Sequence, residues 1–345
     1  MLKWKKSKER IAKVKEVMLE KGSVIGEKYQ VLEVLGYGGM STVYLTMDLK
    51  LQKKWAVKEI AMNQNRDMQK VLTQSARIEV NMMKKLDHPM LPRVVDLIET
   101  GGYCYLVMDY VQGVTLSRYL RREGVISQEQ VIEWAKELCG VLIYLHEQQP
   151  PIIYRDMKPA NIMLQPNGSL KLIDLGIAKE YGVEEETETV PLGTKGYAAP
   201  EQHKGKVDIR TDIYGLGMTV FELLTGAEIK GGEEELPSIR QVRPELSLGL
   251  EYIVKKCTKK NPKERYQNCR ELLYDLEHYK KRTREYWEKG WRKWKRKQRL
   301  IRVVKGLVLG VGIFLLYKKQ QEVEAFLLWI LHVLNFFLQE IHNFF

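Results

Sequence analysis

The sequence predicts an α+β chain with a small strand-rich part, a larger helical part after it, and a C-terminal tail of apolar helices. Three observations carry this expectation. The runs "YQVLEVLGYGGMSTVYLTMD", "KKWAVKEIAM" and "YCYLVMDYV" are strand-like, the first broken by glycines. From Thr115 onward the texture becomes helical. Charge is also concentrated: residues 280–305 hold thirteen Lys/Arg and two Glu, and residues 1–21 hold eight Lys/Arg and three Glu. The net +12 therefore divides into +11 and +5 in these blocks, −3 over 22–279 and −1 over 306–345.

Taken in order, the glycines of the first run separate two strands, and "KKWAVKEIAM" supplies the next. "RIEVNMMKKL" has helical spacing and ends at His88-Pro89. "SQEQVIEWAKELCGVLIYLHEQ" reads as a long amphipathic helix capped by Ser127, and the more apolar "DIYGLGMTVFELLTG" as a buried one. "LEYIVKKCTKKN" and "QNCRELLYDLEHYKKRTREYWEK" are further helices. A chain of 345 residues can bury a full core and hold more than one unit. The expected division is a basic N-terminal segment 1–21, a globular body 22–279, a basic segment 280–305 and a helical tail 306–345. Cys104, Cys139, Cys257 and Cys269 lack zinc or disulfide spacing, which points to a reducing compartment. Residues 1–21 lack the apolar core of a secretory signal.

The stretch "IIYRDMKPANIMLQPNGSLKLIDLGIAK", Ile152 to Lys179, places Asp156, Lys158, Asn161 and Asp174 between hydrophobic runs. Neither helical nor strand periodicity explains these charges, so a loop presents them to something charged. Phosphoryl transfer needs a cradle for the triphosphate, a cation on it, metal ligands and a carboxylate near the attacking hydroxyl. Gly36, Gly38 and Gly39 allow backbone to close over phosphates, although alone a glycine-rich turn is more often just a hairpin. Lys58 lies on the next strand run; by itself it is an edge charge. The joint order is far more specific: glycine-rich turn, strand lysine, helix Glu79, "YRDMKPAN", "DLG", and "GTKGYAAPE" at residues 193–201.

With these motifs in that order, residues from about Tyr29 to Tyr279 resemble a eukaryotic-like (Hanks-type) Ser/Thr protein kinase of the bacterial kind. The resemblance implies a bilobal fold with ATP and Mg²⁺ as cofactors and protein substrates. It makes Asp156 the catalytic base or substrate-orienting carboxylate, with Lys158 on the γ-phosphate. Asn161 and Asp174 become the metal ligands, and Lys58 holds the α/β-phosphates while paired with Glu79. Leu35, Val43, Ala56, Met108 and Met163 line the adenine pocket, and the backbone from Asp109 to Val111 meets the adenine edge. Glu201, Arg265 and Asp212 are scaffold by the same resemblance.

Three positions depart from the common pattern: Ser41 replaces the third glycine, Tyr154 the usual His, and Leu175 the usual Phe. The last two are packing positions, with Met83 expected beside them. No chemistry-bearing residue is missing, so an active enzyme is expected, the alternative being a membrane-bound ATP-binding pseudokinase scaffold. Arg155 beside the catalytic aspartate could clamp a phosphate on Thr187 or Thr189, pointing to activation by autophosphorylation. Thr194 is expected to position catalytic loop and substrate.

The tail reads as membrane-associated. A Lys/Arg-rich block with Trp291 and Trp294 precedes two apolar stretches, as at a cytoplasmic interface. The first, Gly306 to Tyr317, is a marginal span. The second carries His332, Asn335, Gln339 and His342 at helical spacing. One crossing, two crossings and an interfacial helix all stay open, as does pairing of two copies. The expected location is the cell membrane, kinase part in the cytoplasm, with tail contacts to lipid. Nucleic acid is not expected as a partner, because the basic blocks adjoin apolar helices. With 28 residues after Tyr317, an external sensor within this chain is not expected.

Overall fold

The computed structural model describes residues 18–37, 41–61, 84–174, 179–180, 194, 196–227, 229, 236–317 and 323–342. Two compact units divide at Tyr279/Lys280.

In the first unit, β1 (Val24–Ile25), β2 (Tyr29–Tyr37), β3 (Ser41–Asp48), β4 (Lys54–Ala61), β5 (Val94–Thr100) and β6 (Tyr103–Asp109) form one antiparallel sheet, ordered β1-β2-β3-β4-β6-β5. Alternation along the strands gives the sheet two different faces. Ala56, Leu106 and Met108 turn into the main core, which continues into the helical lobe. Tyr29, Val31, Tyr44, Trp55, Val57, Tyr105 and Val107 form a separate core on the other face.

The helical lobe follows β7 (Val114–Thr115), with α1 (Leu116–Glu123) and α2 (Gln128–His146). Ser127 caps α2 as expected, accepting from the Gln130 N–H at 3.3 Å. Ala135, Leu138, Leu142 and Leu145 of α2 are all buried, at the spacing of one helical face. Each fully buried leucine contributes about 1.5–3 kcal/mol. At the centre lies α3 (Ile209–Thr225), begun by Asp208 in a capping box with Thr211 and buried along most of its length. It packs closely on α4 (Leu248–Cys257): a Cβ on Gly217 would lie 2.5 Å from that of Cys257.

Next comes α5 (Cys269–Glu277), where the sequence led us to expect one helix running past Glu288. The chain breaks at His278, whose backbone N–H bonds the Tyr274 carbonyl at 3.1 Å while its ring Nδ1 lies 2.8 Å from the same oxygen. A new helix, α6 (Tyr279–Tyr317), follows it.

The second unit contains the rest of α6 and α7 (Val323–His342). Leu309, Leu328 and Phe336 are among its exposed apolar side chains. Among the described residues no helix is long and apolar enough to cross a membrane, which corrects the expectation of a transmembrane helix. Arg302 and Lys305 interrupt the apolar end of α6, and the charge-free run after them extends roughly 18 Å against the ~30 Å of a bilayer core. His332, Asn335 and Gln339 make α7 amphipathic rather than uniformly apolar.

Candidate active site

A hairpin brings the two expected metal ligands together. Strands β8 (Ile162–Leu164) and β9 (Leu170–Leu172) pair antiparallel, with Ile162 opposite Leu172. Asn161 precedes the hairpin and Asp174 lies just beyond it, so its open end holds both. The Ile173 N–H bonds the Asn161 carbonyl at 3.0 Å and ties the two arms.

Asp156 is the hub of the catalytic loop. Its Oδ2 accepts from Lys158 Nζ at 2.5 Å and from Asn161 Nδ2 at 2.9 Å. Its Oδ1 accepts from the Thr194 hydroxyl at 2.7 Å and the Thr194 N–H at 3.2 Å. Lys158 also donates to the Thr194 hydroxyl. Asn161 Nδ2 further donates to the Asp156 carbonyl at 3.0 Å. Asp156 thus engages the amide nitrogen of Asn161, whose Oδ1 is the atom that would hold a cation.

The loop is held from below by α3. Asp212 accepts from the Tyr154 N–H at 2.8 Å and the Arg155 N–H at 2.7 Å, with His146 Nε2 2.8 Å away. Arg155 has φ +69°, a strained conformation for a side-chain-bearing residue. Its N–H bonds Asp212 and its carbonyl accepts from Gln202 Nε2 at 3.1 Å, so its peptide groups are fixed on both sides. Thr219 of α3 donates to the Met157 carbonyl at 3.2 Å. A Cβ on Gly215 would lie 3.0 Å from that of Met157, tighter than ordinary contact, so the loop would have to give way to a larger residue here. His146, Gln202, Gly215 and Thr219 went unnoticed in the sequence; "YLHEQ" ending a long helix was the one visible signal.

On the nucleotide side, strand register aligns the expected residues. Val43 lies opposite Lys58, and Ala56 opposite Met108. Ala56, Met108 and Val111 are buried, Val43 and Met163 are partly so, and Leu35 is exposed on β2 beside Gly36. Lys58 Nζ reaches Asp174 Oδ1 at 3.1 Å across 116 residues of sequence. Asp109 turns its side chain to Arg93, accepting from its N–H at 3.2 Å and its Nε at 3.0 Å. Burial pushes this carboxyl up, but the Arg93 bonds and charge outweigh it and hold the group below its ordinary value. Arg265 and Glu201 form a buried pair in the helical lobe.

Gly38, Gly39, Glu79, Met83, Leu175, Thr187 and Thr189 lie outside the described residues. The oxygen donors of Asn161 and Asp174 suit Mg²⁺, which takes few protein ligands and keeps water and phosphate oxygens. Among the described residues no group of three or more His, Cys, Asp or Glu forms an all-protein metal cage.

A six-stranded antiparallel lobe followed by a helical lobe, with these polar groups converging at their junction, is the bilobal architecture that the sequence led us to expect. Residues 29–292 match the family model "Protein kinase domain", and the chain belongs to that family. It is 32% identical over 268 residues to "Serine/threonine-protein kinase PrkC" of Bacillus subtilis, covering 74% of this chain and 41% of that protein. It is 36% identical over 273 residues to "Serine/threonine-protein kinase PknB" of Mycobacterium tuberculosis, covering 74% of this chain and 43% of that protein. The chain thus spans about two fifths of the length of these relatives. Among solved structures, the Mycobacterium tuberculosis PknI kinase domain superposes with TM-score 0.61 at 26% identity, covering 76% of this chain and all of that one.

Proposed function

We propose that this chain is a Ser/Thr protein kinase that transfers the γ-phosphoryl group of ATP to protein hydroxyls. The observation that carries the reading is the Asp156 carboxylate, held by Lys158, Asn161 and Thr194 and seated on Asp212 through the loop backbone. The relatives named as serine/threonine-protein kinases support the same substrate class.

In this reading Asp156 orients the substrate hydroxyl and accepts its proton as the oxygen bonds to the γ-phosphorus and ADP leaves. Lys158 and Lys58 hold phosphate oxygens by charge. Asn161 and Asp174 hold Mg²⁺, which when bound neutralises charge on the phosphates. Leu35, Val43, Ala56, Met108 and Met163 enclose the adenine, with Gly36, Gly38 and Gly39 over the phosphates. The hinge backbone from Asp109 to Val111 meets the base, and Glu79 pairs with Lys58. Residues 22–279 form the kinase domain.

Autophosphorylation at Thr187 or Thr189, read by Arg155, is the proposed activating step. The +11 of residues 280–305 and the exposed apolar side chains beyond them support attachment to an anionic membrane surface, with the kinase domain on the cytoplasmic side.

The test is incubation of the full chain with Mg²⁺ and ATP, phosphate being mapped by mass spectrometry. Phosphate on Ser or Thr in the parent, and none in Asp156→Asn, is expected. ATP binding without transfer to itself or to an acceptor protein would overturn the reading.

A further inference from the structure

Arg93 and Asp109 each stand where the chain passes between the strand-rich and helical parts of the first unit. Arg93 ends the stretch leading into β5, and that stretch is already fastened to the helical part. The Asp87 N–H bonds the Tyr144 hydroxyl of α2 at 2.9 Å, and the Met90 carbonyl accepts from the Leu172 N–H of β9 at 2.8 Å. Leu86, Met90 and Leu91 are buried in the main core. Asp109 is the last residue of β6, and from it runs the backbone expected at the adenine edge.

Hydrogen bonds join the two residues in both directions. The Asp109 N–H donates to the Arg93 carbonyl at 3.0 Å, and Asp109 Oδ2 accepts from the Arg93 N–H at 3.2 Å and from its Nε at 3.0 Å. Lys53 Nζ stands 3.9 Å from the other carboxylate oxygen and 3.9 Å from the centre of the Trp55 ring. Trp55 is itself the residue opposite Asp109 in the pairing of β4 with β6. The far end of the stretch is fixed as well. Gly113 has φ +153°, and a Cβ there would lie 2.3 Å from the Leu164 carbonyl oxygen of β8. Residues 109–113 are therefore pinned at one end by charge and at the other by close backbone packing. A strand that simply ended at Asp109 would let its last peptide turn with the loop after it.

We propose that Arg93, supported by Lys53, is a positioning residue for the nucleotide: through the Asp109 carboxylate it presets the backbone that adenine meets, and so sets affinity for ATP rather than the rate of transfer. The inference rests on the nucleotide-binding reading above. A backbone already held in its binding geometry spares the ligand the cost of ordering it. The Arg93 side chain is 65% exposed against 19% for Asp109, so the pair acts by direction more than by strength. A pair that only decorates the surface would leave affinity untouched.

The experiment uses the full-length parent, Arg93→Ala, Arg93→Lys, Asp109→Ala and the double variant Arg93→Ala/Asp109→Ala. Calorimetry gives the affinity of each for a non-hydrolysable ATP analogue with Mg²⁺. Steady-state kinetics give kcat and the KM for ATP, and melting is followed without ligand. Arg93→Ala is expected to weaken analogue binding and raise the KM by about two- to fivefold, the size of one partly exposed charged hydrogen bond. Its kcat should stay within about twofold of the parent's, because the groups at the reacting oxygen are untouched. Arg93→Lys keeps the charge without the guanidinium and should recover part of the affinity. With Asp109 already replaced by alanine, removing Arg93 should change affinity no further, since the two act as a pair. Parental affinity in Arg93→Ala, an equal loss with and without Asp109, or a fall in kcat or unliganded melting at unchanged KM would overturn the proposal and leave the nucleotide site standing. A parent that does not bind the analogue would overturn the nucleotide-binding reading along with it.

Discussion

Arg265 presents two N–H groups to the Glu201 carboxylate, at 2.6 and 2.8 Å, with the arginine side chain fully buried. The same guanidinium donates to the carbonyls of Lys259 at 2.7 Å, Lys260 at 3.1 Å and Arg210 at 3.1 Å. One planar fork therefore joins the segment ending at Glu201, the start of α3 and the turn after α4. Removing one partner of a buried pair strands the other charge, so Arg265→Ala should lower unfolding free energy by about 3–5 kcal/mol. Arg265→Lys should recover little of it, because an ammonium cannot span this set of acceptors. Urea denaturation of the three proteins checks both statements.

Asp212 works through the peptide rather than through substrate. Its carboxylate accepts the Tyr154 and Arg155 N–H groups, and Asp156 follows directly in the chain. Asp212→Asn keeps the shape but turns an N–H₂ toward groups that are themselves donors. The loop then shifts, and displacements of about 1 Å at reacting groups cost on the order of 10²-fold in rate. The expected result is a kcat lower by about that factor, with the KM for ATP within about twofold, since the residues expected around the nucleotide are elsewhere. Steady-state kinetics separate the two; a raised KM with unchanged kcat would contradict the assignment.

Metal removal tests the Asn161–Asp174 arrangement. Chelation of divalent cations should abolish transfer, and Mg²⁺ should restore it. Asp174→Asn removes the charge but not the shape, leaving Lys58 without the anion that stands 3.1 Å away. Its Mg²⁺ requirement should rise about tenfold or more, in line with the loss of a metal ligand or of its immediate support. Transfer measured across a Mg²⁺ titration decides it.

Much of this site was legible because its parts are close in sequence. Asp156, Lys158 and Asn161 span six residues, and a short hairpin is enough to bring Asp174 back beside them. The Ser127 cap and the strands on either side of the glycine-rich turn follow from local chemistry for the same reason. What escaped depends on distant partners. His146 meets Asp212 across 66 residues, and Thr219 reaches Met157 across 62. Strand β5, "VVDLIET", carries Asp96 and Glu99 where alternation would be cleaner, and its place at the sheet edge explains them. The break at His278 hid because "LLYDLEHYKKRT" keeps helical spacing while the histidine bonds back to Tyr274.

Glu59 offers a pH test on the other face of β4 from Lys58. It is buried with the Tyr44 hydroxyl donating to it at 3.3 Å, and Tyr105 also bonds it. Tyr44 in turn accepts from the Leu19 N–H at 3.2 Å, so the network also holds the chain leading into β1. Burial raises the Glu59 carboxyl above its ordinary value, and the two tyrosine hydrogen bonds only partly oppose it. A folded-state value above the unfolded one means that the folded chain binds the proton more tightly. The stability this contributes is complete below the ordinary glutamate value and is lost as pH rises through the raised one. Glu59→Gln cannot titrate and still offers Tyr44 an acceptor. Relative to the parent, the variant should therefore gain stability as pH rises from the ordinary glutamate value through the raised one. Urea midpoints measured at several pH values give the difference directly. A difference that is flat with pH would mean that Glu59 titrates alike in the folded and unfolded chain, and that the tyrosines fully offset its burial.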